Sequence, residues 1–513
     1  MNIERINQPF IKKFPGDFSN NPMQRNTPKV LFSTIQPAGF DKPQLIAFNE
    51  MLSEEIGLGM FEKKDLDFLV GNNLPDNVQT YSTAYAGHQF GNWAGQLGDG
   101  RAILAGEITN TSGERTEIQW KGAGATPYSR HADGRAVLRS SVREYLMSEA
   151  MYHLGIPTTR ALSLAFTGEH VVRDIMYNGN PQLEKGAIVI RTAKSFLRFG
   201  HFELLSAQQE YKTLQDLLDF TIENYFPEIQ SSDIQKYKDF FENICIRTAD
   251  LMVEWFRVGF VHGVMNTDNM SILGLTIDYG PYSMMDEYDL NFTPNTTDLP
   301  GRRYAFGKQG QISQWNLWQL ANALHPLIKD EKFLENTLNK YGTYFWDAHD
   351  KMLCRKFGFD ELRKDDEEFF TNWQGIMQEL ELDHTLFFSQ LEKLTTDFDL
   401  KEHFSNISYS FLNEEKLRKL KNFIENYKVR LNSNTISKEE SLQMMAKSNP
   451  KFILRNYLLY ECIEEINNGQ TEMLDKLTKA LEKPYEEIFP EFSSKRPSGY
   501  DDTAGCSTLS CSS

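Results

Sequence analysis

The chain has 513 residues, of which 54 are lysine or arginine and 71 are aspartate or glutamate, so its formal net charge is −17. A net-acidic surface repels nucleic-acid phosphates, which argues against nucleic-acid binding, and any bound anion then requires a local cationic pocket. Hydrophobic residues make up 40% and charged residues 24% of the chain, a composition typical of folded globular proteins. At about 150 residues per domain, the length predicts roughly two to four domain-sized units.

The sequence carries no signal for export or for a membrane. No apolar stretch follows the first residues, and no run reaches the roughly 18 apolar residues of a membrane span. The five cysteines are scattered: Cys245, Cys354, Cys462, Cys506 and Cys511. This scatter favours a reducing compartment and predicts neither a disulfide framework nor a CxxC metal site. We therefore expect a cytoplasmic protein without membrane insertion.

The first predicted elements are a short helix and a β-hairpin. Residues 1–80 are irregular in composition, with one helical pattern at about 43–56. Apolar and polar residues then alternate over 102–108 and 116–121, on either side of an Asn-Thr-Ser-Gly turn. This pattern predicts two antiparallel strands.

Mixed elements follow, and helices dominate the second half of the chain. A helix is predicted over residues 140–154, ended by Gly155. Three strand-like runs come next, at 161–166, 170–175 and 187–192. Helical patterns at about 206–225 and 233–258 precede a loop dense in polar residues, and beyond Gln311 only helical periodicity is present.

The polar loop contains spacings that are typical of protein kinases. Kinases carry a catalytic Asp in H-R-D-x-x-x-x-N and a metal-binding Asp in D-F-G. His262 and Asn269 stand seven residues apart, as in the first motif, and Asp278 opens a D-Y-G sequence at the place of the second. Val264 stands where the catalytic Asp is expected and cannot accept a proton. Alone, His262 would be read as a core histidine and Asp278 as a turn carboxylate, but their joint spacing predicts a metal site.

A strand lysine provides the second candidate. Lys121 ends the hairpin and is followed by Gly-Ala-Gly. In kinase-like proteins such a lysine contacts the ATP phosphates and pairs with a helix glutamate. Glu144 is the predicted partner, with Glu149 as the second choice. The alternative is a capping box, Ser141-x-x-Glu144, in which Glu144 would bind only backbone at the start of the helix.

Glycines and arginines offer further anion sites. Five glycines fall within residues 87–100, but they do not match the kinase G-x-G-x-x-G pattern. Two Asp-Gly-Arg turns, at 99–101 and 133–135, combine free backbone approach with a guanidinium, although either alone would be an ordinary β-turn. Residues 191–198 hold three cations, which in an acidic protein favour polyphosphate; the alternative is a solvated cationic stretch.

Four segments resemble the SelO family, the selenoprotein O pseudokinases that are understood as protein adenylyltransferases. They are residues 85–91 (YAGHQFG), 97–102 (LGDGRA), 133–140 (DGRAVLRS) and 262–271 (HGVMNTDNMS). The resemblance implies an α+β, protein-kinase-like two-lobed fold with a β-rich N-lobe and a helical C-lobe. The implied divisions are an N-terminal extension (1–80), the N-lobe (81–205), the C-lobe with the catalytic loop and metal site (206–330), a helical C-terminal extension (331–495) and a flexible, Cys-containing tail (496–513).

The resemblance also implies an activity and a set of site residues. ATP would bind in a flipped orientation, and AMP would pass to Ser, Thr or Tyr hydroxyls of protein substrates with Mg²⁺ or Mn²⁺; some bacterial members are credited with UMP transfer. The implied nucleotide contacts are Gly98, Gly100, Arg101, Lys121, Asp133, Gly134, Arg191, Arg198 and Asp278. Asn269 and Asp278 match the metal ligands and Asp268 the catalytic proton acceptor. A phosphotransferase and an inactive nucleotide-binding scaffold stay open as alternatives.

The family resemblance also raises the question of a redox switch. Members often pair a cysteine in the loop after D-Y-G with one near the C-terminus. Here Pro294 stands at the loop position, which argues against that disulfide and leaves Cys506–Cys511 as a local alternative.

Overall fold

The structure is a computed structural model that describes residues 1–394, 399–501 and 503–510. It is an α+β protein in which residues 16–193 supply one large mixed sheet and residues after 198 are mainly helical. The fold class predicted from the sequence is confirmed at this level.

The strands are β1 (Gly16–Asp17), β2 (Phe32–Thr34), β3 (Gln44–Phe48), β4 (Tyr81–Gln89), β5 (Asn92–Gly98), β6 (Ala102–Thr109), β7 (Arg115–Lys121), β8 (Ala136–Val137), β9 (Arg160–Arg173), β10 (Gln182–Ala193), β11 (Phe260–Val261) and β12 (Ser283–Met284). The α-helices are α1 (Pro9–Lys13), α2 (Glu50–Glu55), α3 (Leu66–Leu69), α4 (Leu138–His153), α5 (Phe199–Ala207), α6 (Tyr211–Tyr225), α7 (Asp233–Val258), α8 (Gln309–Ile328), α9 (Glu331–Phe357), α10 (Asp366–Glu379), α11 (His384–Glu392), α12 (Leu400–Ser405), α13 (Glu414–Leu431), α14 (Lys438–Ser448), α15 (Asn456–Asn467) and α16 (Glu472–Leu481).

The large sheet runs in the order β1-β2-β4-β6-β7-β10-β9-β3, with β5 paired to β4 and β8 to β10. Strands β6 and β7 form the predicted antiparallel hairpin. The β4–β5 hairpin was not predicted, because its glycines interrupt the alternation of apolar and polar residues. Its turn residues, Phe90 and Gly91, both have positive φ (50° and 83°), as a tight type I′ turn requires.

Two sequence predictions near the sheet edge were wrong. The helical pattern at 43–56 contains β3 and then α2, which begins after Asn49, whose side chain accepts a hydrogen bond from Leu52 N–H. Pairing of β3 with β9 overrides the local helical pattern there. The run at 161–166 and residues 170–173 of the next run belong to the single long strand β9, because pairing with β10 continues on both sides of Gly168.

The predicted helices agree more closely with the structure than the predicted strands do. Helix α4 begins two residues earlier than predicted and packs between β9, β10 and the helices α15 and α16. The pattern at 206–225 is divided into α5 and α6, which are separated near Gln209, a residue with a φ of 60°. Beyond Gln311 the described residues form helices and no extended strand, as predicted.

The short pair β11–β12 closes the base of the polar loop. Phe260 is opposite Met284, and Val261 is opposite Ser283. Helix α7 leads into this pair through Gly259, whose φ of 75° ends the helix. The loop that carries the kinase-like motifs is therefore held at both ends by backbone pairing.

The described part of the tail lies against this loop region. Cys506 and Leu509 are fully buried, and Thr296 N–H donates to the carbonyl of Leu509 at 2.8 Å. The predicted alternative bridge between Cys506 and Cys511 involves a residue outside the described range. No described helix combines the length and apolar character that a membrane crossing demands.

Candidate active site

A buried ionic network joins the sheet, helix α4 and the D-Y-G segment. Lys121, at the end of β7, places Nζ 2.5 Å from Glu144 Oε2 and 3.8 Å from Asp278 Oδ1. Arg191 Nη1 donates to Glu144 Oε1 at 2.9 Å and also contacts Asp278 Oδ1. Arg198 Nη1 contacts Asp278 Oδ2. The predicted pair of Lys121 and Glu144 is confirmed.

The capping-box alternative for Glu144 is wrong. Helix α4 begins at Leu138, with Val137 as its N-cap, so Glu144 lies in the second turn and not beside a free backbone amide. The second candidate partner, Glu149, binds Arg160 at 2.6 Å instead. One helix thus presents its two buried glutamates to different cations.

Strand register explains how the cations converge. In the sheet, Val189 of β10 is opposite Lys121, and Arg191 is opposite Gln119. Arg191 Nε donates to Gln119 Oε1 at 2.7 Å, which orients the guanidinium toward α4. Side chains two residues apart on a strand share a sheet face. Lys121 on β7 and Arg191 on β10 therefore point to the same face of the sheet.

Burial and charge together set the protonation of this network. Burial acts to raise the pKa of Asp278, but Arg198, Arg191 and Lys121 outweigh it and hold that pKa well below its usual range. Burial likewise opposes ionisation of Glu144, yet Lys121 and Arg191 lower its pKa. Burial lowers the pKa of Lys121 to about 8, against the opposing pull of Glu144. Both carboxylates are therefore ionised at neutral pH.

The kinase-like loop is held by backbone contacts. The His262 ring stacks on Trp255, with centroids 5.5 Å apart, and its Nε2 donates to the Ile277 carbonyl at 2.8 Å. Asn269 Nδ2 donates to the Val264 carbonyl at 2.9 Å. His262 is thus a buried structural residue that ties the loop to the strand-like segment before Asp278.

Asp268 is a buried carboxylate, and one of its two oxygens accepts no hydrogen bond from the described residues. Its Oδ2 accepts a 3.1 Å hydrogen bond from Gln89 Nε2, whereas its Oδ1 is buried and has no hydrogen-bond partner among the described residues. Burial raises its pKa to about 6, even though Gln89 and Arg198 oppose the rise. A Cβ on Gly87 would lie 2.7 Å from Oδ1, so glycine leaves the space that this carboxylate occupies.

The first Asp-Gly-Arg turn lies beside the network. A Cβ on Gly98 would lie 2.4 Å from the Tyr128 ring, and one on Gly100 would lie 2.8 Å from the Tyr128 carbonyl oxygen. Asp99 Oδ2 accepts from Thr83 Oγ1 at 2.6 Å, and Asp99 Oδ1 is 3.6 Å from Arg198 Nη2.

Backbone contacts join both Asp-Gly-Arg turns to the segment after Lys121. The Arg101 carbonyl accepts from Gly122 N–H at 2.7 Å, and the Gly134 carbonyl accepts from Gly124 N–H at 3.2 Å. The Asp133 side chain turns elsewhere, because both of its oxygens accept from Arg173, at 2.7 and 2.8 Å. Asp133 therefore lies near the site through its backbone, while its carboxylate stands outside the network around Asp278.

Comparison with known proteins decides the family. A family model described as "Protein adenylyltransferase SelO" matches residues 17–482. The chain belongs to the SelO family. A "Protein nucleotidyltransferase YdiU" of Cytophaga hutchinsonii is 47% identical over 514 residues, covering 99% of each chain. Proteins of the same name from Methylobacillus flagellatus (44% identical, 98% and 99% covered) and Flavobacterium johnsoniae (44% identical, 99% of each covered) match equally completely.

Membership in the SelO family identifies the chain as a nucleotidyltransferase enzyme, for which the family description implies ATP as a substrate. This agrees with a site in which the buried cations Lys121, Arg191 and Arg198 surround the carboxylate of Asp278.

The donor set of this SelO-family chain fits a hard divalent cation. The described residues contain no cluster of three or more His, Cys, Asp or Glu side chains in metal-binding geometry. The oxygen of the Asn269 amide nevertheless stays available, since its nitrogen is the atom bonded to Val264. The carboxylate of Asp278 is 20% exposed and ionised, although both of its oxygens also contact arginines. Carboxylate and amide oxygens are the ligands that Mg²⁺ and Mn²⁺ prefer.

Sequence reasoning from chemistry alone missed the contribution of β4. Gly87 and Gln89 shape and bind Asp268, and His88 N–H donates to Thr267 Oγ1 at 2.7 Å. Gly87 is one of the five glycines noted at 87–100, whereas His88 and Gln89 are indicated only by the resemblance of the YAGHQFG segment to the SelO family. A signal was present, since a glycine and two polar residues interrupt an apolar strand there, but its partner is 179 residues away.

Proposed function

We propose that the chain transfers AMP from ATP to Ser, Thr or Tyr hydroxyls of protein substrates. In this proposal residues 81–205 and 206–330 act as the two lobes of a kinase-like scaffold, and ATP binds in the flipped orientation. The observation that carries it is the pairing of a complete Lys121–Glu144–Asp278 network with valine, and not aspartate, at position 264.

The placement of the cations favours a flipped nucleotide. Arg191 and Arg198 are almost fully buried, with 2% and 1% of their surface exposed. Guanidinium groups bind phosphate oxygens through directed, charge-assisted hydrogen bonds. Such deeply placed cations suit the β- and γ-phosphates of a nucleotide whose α-phosphate faces the acceptor, because the group that they hold is then the one that leaves as pyrophosphate.

Asp268 is the group that we assign to the acceptor proton. Its Oδ1 is unpartnered and its pKa is raised to about 6, mainly by burial, so at neutral pH it is ionised and still a useful base. The acceptor hydroxyl gives its proton to Oδ1 as its oxygen forms a bond to the α-phosphorus. The bond from the α-phosphorus to the bridging oxygen breaks, and pyrophosphate carries away that electron pair.

Asn269 and Asp278 would hold Mg²⁺ or Mn²⁺. Such a metal neutralises charge on the phosphates when it is bound. In the chain itself, Lys121 keeps Glu144 and Asp278 in place, and Arg198 binds the Asp268 carbonyl at 2.8 Å, which links the phosphate-binding residues to the base. UMP transfer from UTP would use the same side chains. The relative transfer rates with UTP and ATP show which of the two nucleotides the chain prefers.

The position of a radioactive or heavy-isotope label in ATP distinguishes AMP transfer from phosphate transfer. The chain is incubated with metal and with ATP labelled at either the α- or the γ-phosphate, and the label on the chain and on added proteins is measured. We expect α-label to be retained, with a mass increase of one AMP per modified hydroxyl. Retained γ-label would establish phosphotransfer, the competing enzyme reaction.

A variant of the base separates catalysis from nucleotide binding. Asp268→Ala is expected to abolish transfer while ATP affinity, measured by calorimetry, stays close to that of the parent. A parent protein that binds ATP but transfers neither label would be an inactive scaffold. Unchanged turnover in Asp268→Ala would remove this residue from its assigned role.

A further inference from the structure

An aromatic and cationic surface lies next to the proposed base. We define the aromatic–arginine surface as His88, Trp93, Arg303 and Trp315. The His88 ring centroid is 5.0 Å from that of Trp93 and 5.5 Å from that of Trp315. The Arg303 guanidinium lies over the Trp315 indole, 4.5 Å from its centroid. Three elements therefore meet here: the β4–β5 hairpin, the loop before α8, and α8 itself.

This surface adjoins Asp268 through consecutive residues of β4. Gln89 binds Asp268, while His88, the preceding residue, contacts the two tryptophans. The turn continues with Phe90, whose N–H donates to Asn266 Oδ1 at 3.1 Å and to Tyr304 OH at 3.0 Å. Because consecutive strand residues point to opposite faces, the proposed base and the aromatic–arginine surface lie against the two sides of the same hairpin end.

Trp93 is the exposed aromatic residue of this surface, and His88 and Trp315 are half-buried. Trp93 has 46% of its surface exposed. His88 is fixed by a 2.7 Å hydrogen bond between Nδ1 and Oε1 of the buried Glu203. Large exposed aromatic side chains in fixed orientation are typical of protein recognition sites, because they bury much area at a small cost in conformational entropy.

Arg303 supplies an uncompensated charge on this surface. It is half-buried and makes no ion pair in the described part of the chain, and its Nε and Nη2 are buried donors without a hydrogen-bond acceptor there. Its acidic neighbour Asp298 directs its two oxygens to the backbone N–H groups of Arg303 and Tyr304, at 3.0 and 2.7 Å. In a chain with a net charge of −17, Lys121, Arg191 and Arg198 of the nucleotide site are each paired with carboxylates, whereas Arg303 has no ion pair among the described residues.

We infer that the aromatic–arginine surface binds the acceptor segment of the protein substrate and selects segments with an acidic side chain near the acceptor hydroxyl. The inference rests on the proposed function, because the acceptor segment is the part of a protein substrate that would receive AMP. Charge complementarity supports it, since a carboxylate complements the positive charge of a half-buried arginine that makes no ion pair among the described residues. Apolar atoms of the same segment would cover Trp93 and Trp315.

Matched peptides test the selection directly. Short fluorescent peptides carry one Ser, flanked by Glu, by Gln or by Lys in an otherwise constant Gly-Ala sequence. Their affinities are measured by anisotropy in the presence of ATP without metal. We expect the Glu peptide to bind about tenfold more tightly than the Gln peptide, the size of one charge-assisted hydrogen bond, and the difference to shrink at high salt.

Variants at two neighbouring arginines provide the controls. Arg303→Gln should remove the preference for Glu, and Arg303→Glu should reverse it toward Lys. Arg302→Gln is the matched control, since Arg302 is exposed in the same loop and, among the described residues, its side chain makes only a 3.4 Å contact with the Asn291 carbonyl. Arg303→Lys keeps the charge but not the stacked plane, so it should retain part of the preference. Unchanged ATP affinity and melting temperature show that each variant is folded.

Each outcome separates this inference from the proposed function. A charge preference that Arg303→Gln abolishes supports the surface, even if no label is transferred, in which case AMP transfer is the idea that fails. Label transfer to Glu, Gln and Lys peptides with equal affinity overturns the surface and leaves AMP transfer intact. Absence of peptide binding, or a preference that survives in Arg303→Gln, also overturns the inference.

Discussion

Lys121 Nζ lies 2.5 Å from Glu144 Oε2, and the other oxygen of Glu144 accepts a 2.9 Å hydrogen bond from Arg191. One helix carboxylate therefore holds two cations that come from different strands. Because all three groups are buried, removal of the carboxylate leaves two charges without their partner, and that is more costly than loss of a surface ion pair.

Glu144→Gln should lower both stability and transfer. Breaking a buried ion pair from one side costs about 3 kcal/mol, and Lys121 then loses its fixed position. Denaturant unfolding measures the first effect, and the rate of α-label transfer measures the second. Glu149→Gln is the matched control on the same helix, because Glu149 binds Arg160. It should lose stability but retain transfer; an equal loss of transfer in both folded variants would argue against a special role for Glu144.

Asp278→Asn should separate nucleotide binding from transfer. The position has a φ of 57°, which asparagine tolerates better than most residues, so the backbone is expected to stay in place. The cations around it remain, and ATP should still bind. Transfer should fall by about 100-fold or more, and metal should no longer strengthen ATP binding, as calorimetry with and without Mg²⁺ would show. Full metal dependence in this variant would contradict the assignment of Asp278 as a ligand.

Gly87→Ala should displace the proposed base. The added Cβ would lie 2.7 Å from Asp268 Oδ1, closer than such atoms approach, so the carboxylate has to move. A shift of about 1 Å at a reacting group can cost on the order of 100-fold in rate. Gly375→Ala in α10 is the control, since its Cβ would meet no atom within 4 Å. We expect steady-state transfer to fall only in Gly87→Ala, and equal rates in the two variants would contradict this role.

Glu117 should make stability depend on pH. Burial raises its pKa to about 8, although hydrogen bonds from Phe196 N–H and the Ser195 hydroxyl oppose the rise. The unfolded value is near 4.5, so between these values the folded state binds the extra proton. Stability conferred by that proton is present at low pH and is lost as pH rises toward 8, at up to about 1.4 kcal/mol per pH unit.

Glu117→Gln cannot titrate and should flatten this dependence. The measurement is the urea midpoint between about pH 5 and about pH 8, the range in which unfolding releases the proton of Glu117. Glu114→Gln, on the exposed turn of the same hairpin, is expected to keep the slope of the parent. A slope in Glu117→Gln equal to that of the parent would show that another group carries the linkage.

Several elements were predictable because their signals are local. The β6–β7 hairpin follows from alternation around one turn, and α4 follows from a pattern that ends at Gly155. The β4–β5 hairpin and the β3 strand were not predictable in this way. Glycines interrupt the strand pattern of the β4–β5 hairpin. The β3 strand depends on pairing with β9, whose residues lie more than 100 positions further along the chain.

The sequence by itself determined the chemical inventory of the site. The spacing of His262, Asn269 and Asp278, the strand lysine and the valine at position 264 can all be read along the chain, because each motif spans a few consecutive residues. They were sufficient to indicate a kinase-like metal site without its usual catalytic aspartate.

Only the tertiary structure decided which groups meet. Arg191 reaches Asp278 across 87 positions, and Gln89 reaches Asp268 across 179. Contacts of this kind depend on how the sheet packs against the polar loop, and no local pattern encodes that packing. The same packing places the Arg303 guanidinium over Trp315 without an anionic partner among the described residues.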